Sequence, residues 1–379
     1  MQFDSIRPHS NEELPAALER LSQNKQFLNV LSTVYPLLPK DVLRERLTSF
    51  TDNYDFQKTM VYPFLQYLEA NLTKGVELRG VDKLKEGRNY LYVSNHRDII
   101  LDSAFLCAKL IELGRDTVEI AIGDNLLIFP WIEDLVRVNK SFIVRRSPGA
   151  KQMLESSRLL ARYIQYAVNE KGQSVWIAQR EGRAKDADDK TQESLLKMFN
   201  MCGEDTFAEN LSTLHICPLS ISYEYDPCDY LKAREFQLKR DNPEYKKSPG
   251  DDLLNMKTGV MGYKGKVVYA LAGEISDEIS ALSEQYTNRN QLVSATAQLI
   301  DTHIYRNYAI FAVNKIAYDL LNQSTSYASE YTLMEKLDFE KYLGKQIEKI
   351  DIENKDIDFL MVKLLEMYAN PLKNAASVS

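Results

Sequence analysis

A histidine with a carboxylate a few residues on can move a proton: the acid holds one ring nitrogen while the other takes a proton from a hydroxyl. His96 stands in such a setting, in Ser94-Asn95-His96-Arg97-Asp98-Ile99-Ile100-Leu101-Asp102, with Asp98 and Asp102 both candidate partners. Three further groups follow along the chain. Phe142-Ile143-Val144-Arg145-Arg146 ends on paired guanidiniums. Between Asp134 and Glu155 lie Arg137, Lys140, Arg145, Arg146 and Lys151 with no acid among them. Such a stretch attracts anions, and Arg suits bidentate phosphate binding. Next, Arg180-Glu181-Gly182-Arg183 places a glycine among charges, where Arg180, Arg183 and Lys185 could hold a phosphate at close backbone approach. The fourth group, Pro218 to Tyr223, reads as an apolar core strand.

These groups need a scaffold. Short β-prone apolar runs at Tyr90–Val93, Val118–Gly123, Ser141–Val144, Ser174–Ala178, His215–Tyr223 and Lys266–Ala272 alternate with helical patterns at Asp102–Leu113 and Met153–Val168. Alternation of this kind predicts an α/β layered core over about residues 80–282, with a central, mostly parallel sheet flanked by helices. Ligands of open α/β sheets gather at the carboxyl ends of the strands, where His96 falls. Residues 1–79 read as a helical N-terminal region. Within it, apolar residues from Phe56 to Leu72 recur at three- and four-residue steps, with a kink or fresh start expected at Pro63. Residues 224–262, rich in charge, Pro and Gly, predict an insertion or lid-like loop. Residues 283–379 read as a C-terminal helical region.

Composition narrows the class. The 379 residues carry 47 Lys and Arg against 54 Asp and Glu, a net charge of −7, with 44% hydrophobic residues. An ordinary globular protein is indicated, and the acidic balance speaks against nucleic-acid binding. Four cysteines with no Cys-x-x-Cys pair suggest a reducing compartment. No run reaches the ~18 apolar residues of a spanning helix, and the first residues lack the apolar core of a signal peptide. The expected location is cytoplasmic, peripheral on the inner face of the cytoplasmic membrane.

Taken in order, the four groups resemble the motifs of the glycerolipid acyltransferases, the lysophosphatidate and glycerol-phosphate acyltransferase family. Asn95-His96 is similar to that family's His-x4-Asp motif, Phe142–Arg146 to its Phe-Ile-x-Arg motif, Glu181-Gly182-Arg183 to its Glu-Gly-x-Arg motif, and Pro218–Tyr223 to its Pro-containing strand. Gly273-Glu274-Ile275 resembles the closing Gly-Glu-Pro-Ile element without the Pro. Two departures stand out: five residues separate His96 from Asp102 where the family has four, and Arg180 replaces the usual Pro. The Asn-His-Arg-Asp form of the first motif is similar to a bacterial branch.

The resemblance implies transfer of an acyl group from acyl-CoA or acyl carrier protein to the hydroxyl of a lipid acceptor such as 1-acyl-glycerol-3-phosphate, in phospholipid synthesis. It implies His96 as base with Asp102, or alternatively Asp98, as partner. Substrate binding would fall to Asn95, Arg97, Arg145, Arg146, Arg180, Glu181, Gly182, Arg183 and Lys185. No cofactor or metal is implied beyond the thioester co-substrate, and the partners are donor, acceptor and a membrane surface. Three alternatives stay open: another hydroxylated or amino lipid acceptor, a metal-dependent hydrolase using His96, Asp98 and Asp102, and a non-catalytic lipid-binding relative.

Overall fold

Runs of apolar residues too short for a core helix, bounded by Gly and polar turns, have one low-energy outcome in a chain of this size: strands buried on both faces. A computed structural model, describing residues 2–146 and 149–378, contains seven strands, with the buried ones at the centre of the sheet. They are β1 (Val76–Arg79), β2 (Leu91–Ser94), β3 (Glu119–Gly123), β4 (Ser141–Val144), β5 (Val175–Ala178), β6 (Ile216–Tyr223) and β7 (Val267–Leu271). Their order is β1-β7-β6-β2-β5-β3-β4. Strands β6, β2, β5, β3 and β4 run parallel, whereas β7 is antiparallel to β6 and carries β1 parallel to itself. The sheet is therefore mostly parallel and helix-flanked, as expected.

Alternate side chains serve different layers, as the strand period of two requires. Leu91, Val93, Val175, Ile177 and Ile216 pack with helices Ala150–Asn169 and Arg289–Arg306. Tyr92, Trp176, Cys217, Leu219, Ile221 and Tyr269 pack on the other face with helices Leu101–Glu112 and Tyr62–Leu72. The N-terminal helices close around Leu14, Leu18, Leu43 and Phe56. The C-terminal helices Ala312–Asn322, Leu333–Glu348 and Ile357–Ala376 build a fourth cluster around Ile316, Phe339, Leu343 and Leu364. All four cysteines are free and buried. Among the described residues no helix is long and apolar enough to cross a membrane.

Two expectations need correction, and a third is met in a specific form. Residues 1–79 are not helical throughout, because Val76–Arg79 forms edge strand β1. The segment 224–262 is not a loop but contains helices Asp229–Asp241 and Pro249–Met261. Polar composition disguised it: the buried face of helix Asp229–Asp241 is made largely of polar side chains. At Pro63 the expected break takes a specific form. A π-helical turn over Gln57–Val61 precedes helix Tyr62–Leu72, which places the proline in a first turn, where a missing N–H costs least.

Candidate active site

Strand β2 ends at Ser94, whose hydroxyl accepts from Trp176 Nε1 at 3.0 Å. Asn95 then clamps the neighbouring strand: its amide donates to Ile221 O at 2.9 Å and its side-chain oxygen accepts from Ile221 N at 2.8 Å. Fully buried and doubly bonded to β6, Asn95 anchors the end of β2 instead of facing a substrate. The first and fourth sequence groups thereby meet at one point of the sheet.

His96 follows and turns outward. Its Nδ1 lies 2.7 Å from Asp102 Oδ2, and the same oxygen accepts from the backbone N–H of Arg97 at 2.6 Å and of Asp98 at 3.1 Å. The extra residue between His96 and Asp102 is absorbed by this turn, which leads into helix Leu101–Glu112. With the proton on Nδ1, Nε2 presents a lone pair, and it has no protein partner among the described residues. Trp176 meets the imidazole edge-on at 5.7 Å between centroids. The His96 side chain is 13% exposed and that of Asp102 0%. His9, His215 and His303 also contact carboxylates, but only His96 pairs with one wholly out of water, at a strand's carboxyl end.

Asp98 does something else. Its Oδ1 accepts from the backbone N–H of Ile100 and Leu101, capping the following helix, and its carboxyl sits against Gly259 of helix Pro249–Met261. Burial, with the nearby Asp102 charge, holds its pKa above the ordinary value. Beneath it lies Lys264, 0% exposed, whose Nζ donates to Val260 O at 3.1 Å. Burial lowers this ammonium to about 8.

The basic residues are dispersed, not pooled. Arg97 is turned inward: its guanidinium pairs with Asp189 at 2.6 Å with 7% of its side chain exposed, so it does not face a substrate. Arg137 is buried and donates to the backbone carbonyls of Asp4, Ser5 and Arg7, fastening the N-terminal segment. Lys140 pairs with Asp116, and Arg145 donates to Ser5 O. Arg137, Lys140 and Arg145 are thus each engaged by separate partners and do not pool into one anion patch. Lys185 is taken up by Glu235, and burial lowers its pKa to about 8. Arg183 donates to Asn255 at 3.0 Å.

Arg146 does reach the third motif: it meets Glu181 at 3.2 Å, both side chains well exposed. Gly182 takes φ +68°, a left-handed turn suited to glycine, and Arg180 is half-buried. Glu274 lies at the amino end of β6, the opposite end of the strands from His96, binding His215, Arg88 and Ser276. Among the described residues no group of three or more His, Cys, Asp or Glu is placed to hold a metal ion.

Sequence reasoning missed Asp189, Tyr308 and Gly259. Asp189 falls in Lys185-Asp186-Ala187-Asp188-Asp189-Lys190, which reads as a solvated charge run, and no local signal marks it as 0% exposed.

Residues 75–222 match the family model for acyltransferases. Comparison with curated proteins finds none that matches. Among solved structures, the 1-acyl-sn-glycerophosphate (LPA) acyltransferase PlsC from Thermotoga maritima aligns over 77% of this chain and 95% of its own, at 10% identity and a TM-score of 0.38.

Proposed function

We propose that the acyltransferase domain of residues 75–222 moves a fatty acyl group from an acyl thioester, acyl-CoA or acyl carrier protein, to a hydroxyl of a glycerol-phosphate-type lipid. The observation that carries this reading is the 2.7 Å His96–Asp102 pair at the carboxyl end of β2, inside the matched segment, with Nε2 unoccupied by protein. His96 Nε2 takes the proton of the acceptor hydroxyl, whose oxygen attacks the thioester carbonyl. The tetrahedral centre collapses with loss of the thiolate, which recovers the proton from the imidazolium. Asp102 holds the ring and stabilises that cation. General-base help of this kind supplies about 10²–10⁴ in rate.

Of the arginines first considered for an acceptor phosphate, Arg146, Arg180 and Arg183 retain exposed or partly exposed side chains next to Gly182, and Arg183 keeps Nη1 without a partner. They are the candidates for that contact. Acceptors of this class reside in bilayers. Ile100, Leu254 and Met261 carry exposed apolar side chains on the elements beside the His96 turn, which supports work at a membrane surface.

The test is direct. Purified protein is incubated with labelled acyl-CoA or acyl carrier protein and a panel of lysolipids, and products are identified by mass. Label is expected on a lysophosphatidate-type acceptor, and His96→Ala is expected to lose about 10²-fold or more. Full activity in His96→Ala would overturn the assignment.

A further inference from the structure

The side chain of Arg97 has no path to a substrate, yet its main chain is part of the candidate site. Its backbone N–H donates to the Asp102 oxygen that holds His96. Its guanidinium runs inward to Asp189 Oδ2 at 2.6 Å, which also accepts from Tyr308 Oη at 2.6 Å. The Tyr308 ring lies 5.8 Å from the guanidinium carbon, and Tyr305 Oη donates to the backbone carbonyl of Asp189. Both tyrosines come from beyond residue 283, Tyr308 in the short link between helices Arg289–Arg306 and Ala312–Asn322. From the other side, Lys232 Nζ approaches Arg97 O at 3.4 Å.

Stability alone is a poor reason for this arrangement. A buried ion pair is often no more stabilising than apolar side chains of the same size. This one also leaves Arg97 Nη1 and Asp189 Oδ1 buried without a hydrogen-bond partner, which costs further. What the arrangement does achieve is placement. A planar guanidinium gripped by a carboxylate and backed by a ring fixes direction as well as distance. The main chain it fixes is the one whose N–H orients Asp102.

We propose that Arg97, Asp189 and Tyr308 form a positioning chain through which the C-terminal helical region holds the 97–98 backbone, and hence Asp102 and His96, in register for proton transfer. The three are positioning residues, and the proposal rests on reading His96 as the general base.

Two full-length variants test it, Tyr308→Phe and the double replacement Arg97→Met with Asp189→Leu, alongside His96→Ala. Each is assayed for kcat and KM with the acceptor active in the parent, for thermal midpoint, and for the low-field Nδ1 proton of His96 by NMR, assigned by its loss in His96→Ala. Both variants are expected to melt near the parent temperature. Their kcat is expected to fall about 10- to 100-fold at unchanged KM, with the Nδ1 resonance broadened or shifted. Should the double variant fail to fold, Tyr308→Phe, which removes only one hydroxyl, decides alone. Parental kcat and an unaltered resonance in Tyr308→Phe, with His96→Ala inactive, would overturn the positioning chain and leave the general base standing. A fully active His96→Ala would overturn the general base itself.

Discussion

Asp98 and Asp102 stand one helical turn apart, and their carboxylates serve different tasks. One oxygen of Asp102 collects His96 and two backbone N–H groups, whereas Asp98 spends its Oδ1 on the two N–H groups that open the helix. Exchange of Asp102 for Asn leaves a neutral amide beside the imidazolium and is expected to cost about 10²-fold in kcat. Asp98→Asn keeps a good cap and is expected to cost much less in rate, and Asp98→Ala about 1 kcal/mol in stability. Parallel assays and melts of the three variants check the ranking. The pair was legible in sequence because both members are local: a histidine after a buried strand, and an acid that opens the next helix. The basic residues were not, because their partners are remote. Nothing near Lys185 announces Glu235, and nothing near Arg97 announces Asp189.

Elements meet this site through close contacts that composition conceals. Helix Pro249–Met261 reaches the His96 turn at Gly259, where an added Cβ would lie 1.9 Å from Asp98 Oδ2 and 3.0 Å from its Cγ. Asp98 has little freedom to yield, being buried and bonded to the helix start. Gly259→Ala is therefore expected to cost about 1–3 kcal/mol in stability and to reduce acyl transfer with it, measured by denaturant unfolding and by assay. A short side chain that only crowds would ordinarily leave the rate alone, so a stable but slow Gly259→Ala would locate the effect at the turn. The core strands were readable from apolar runs, all six of them within a residue of their observed limits. Strand β1 was not, since an edge strand of four residues, Val-Glu-Leu-Arg, buries only Val76 fully and carries no continuous apolar run. The helices of 224–262 were missed for the related reason that their buried faces are polar: Asp229, Lys232, Glu235 and Gln237 are all inside.

At the scale of the molecule, the end of the strands away from His96 is held by charge. Burial raises the Glu274 carboxyl, but hydrogen bonds from Ser276, His215 and Arg88 outweigh it and hold the group at about 2, against an ordinary 4.5. A carboxyl whose folded pKa is depressed adds stability above its unfolded value and loses it as pH falls toward the folded one. The thermal midpoint of Glu274→Gln is therefore expected to trail the parent's by a constant gap at neutral pH. That gap should narrow below about pH 4.5 and close near pH 2, in melts recorded across that range. The terminal regions, which carry no readable chemistry in sequence, turn out to be fastened to the core by such polar contacts, Arg137 gripping residues 4–7 and Tyr305 and Tyr308 gripping Asp189. The buried cysteines have a practical corollary. Burial raises the thiols of Cys107, Cys217 and Cys228 to about 11 or 12 and that of Cys202 above its ordinary value, so the native protein offers a disulfide dye no thiolate to attack. A coenzyme thiol set free in solution would then be the sole source of colour, and turnover could be followed continuously in a cuvette without chemical blocking of the enzyme.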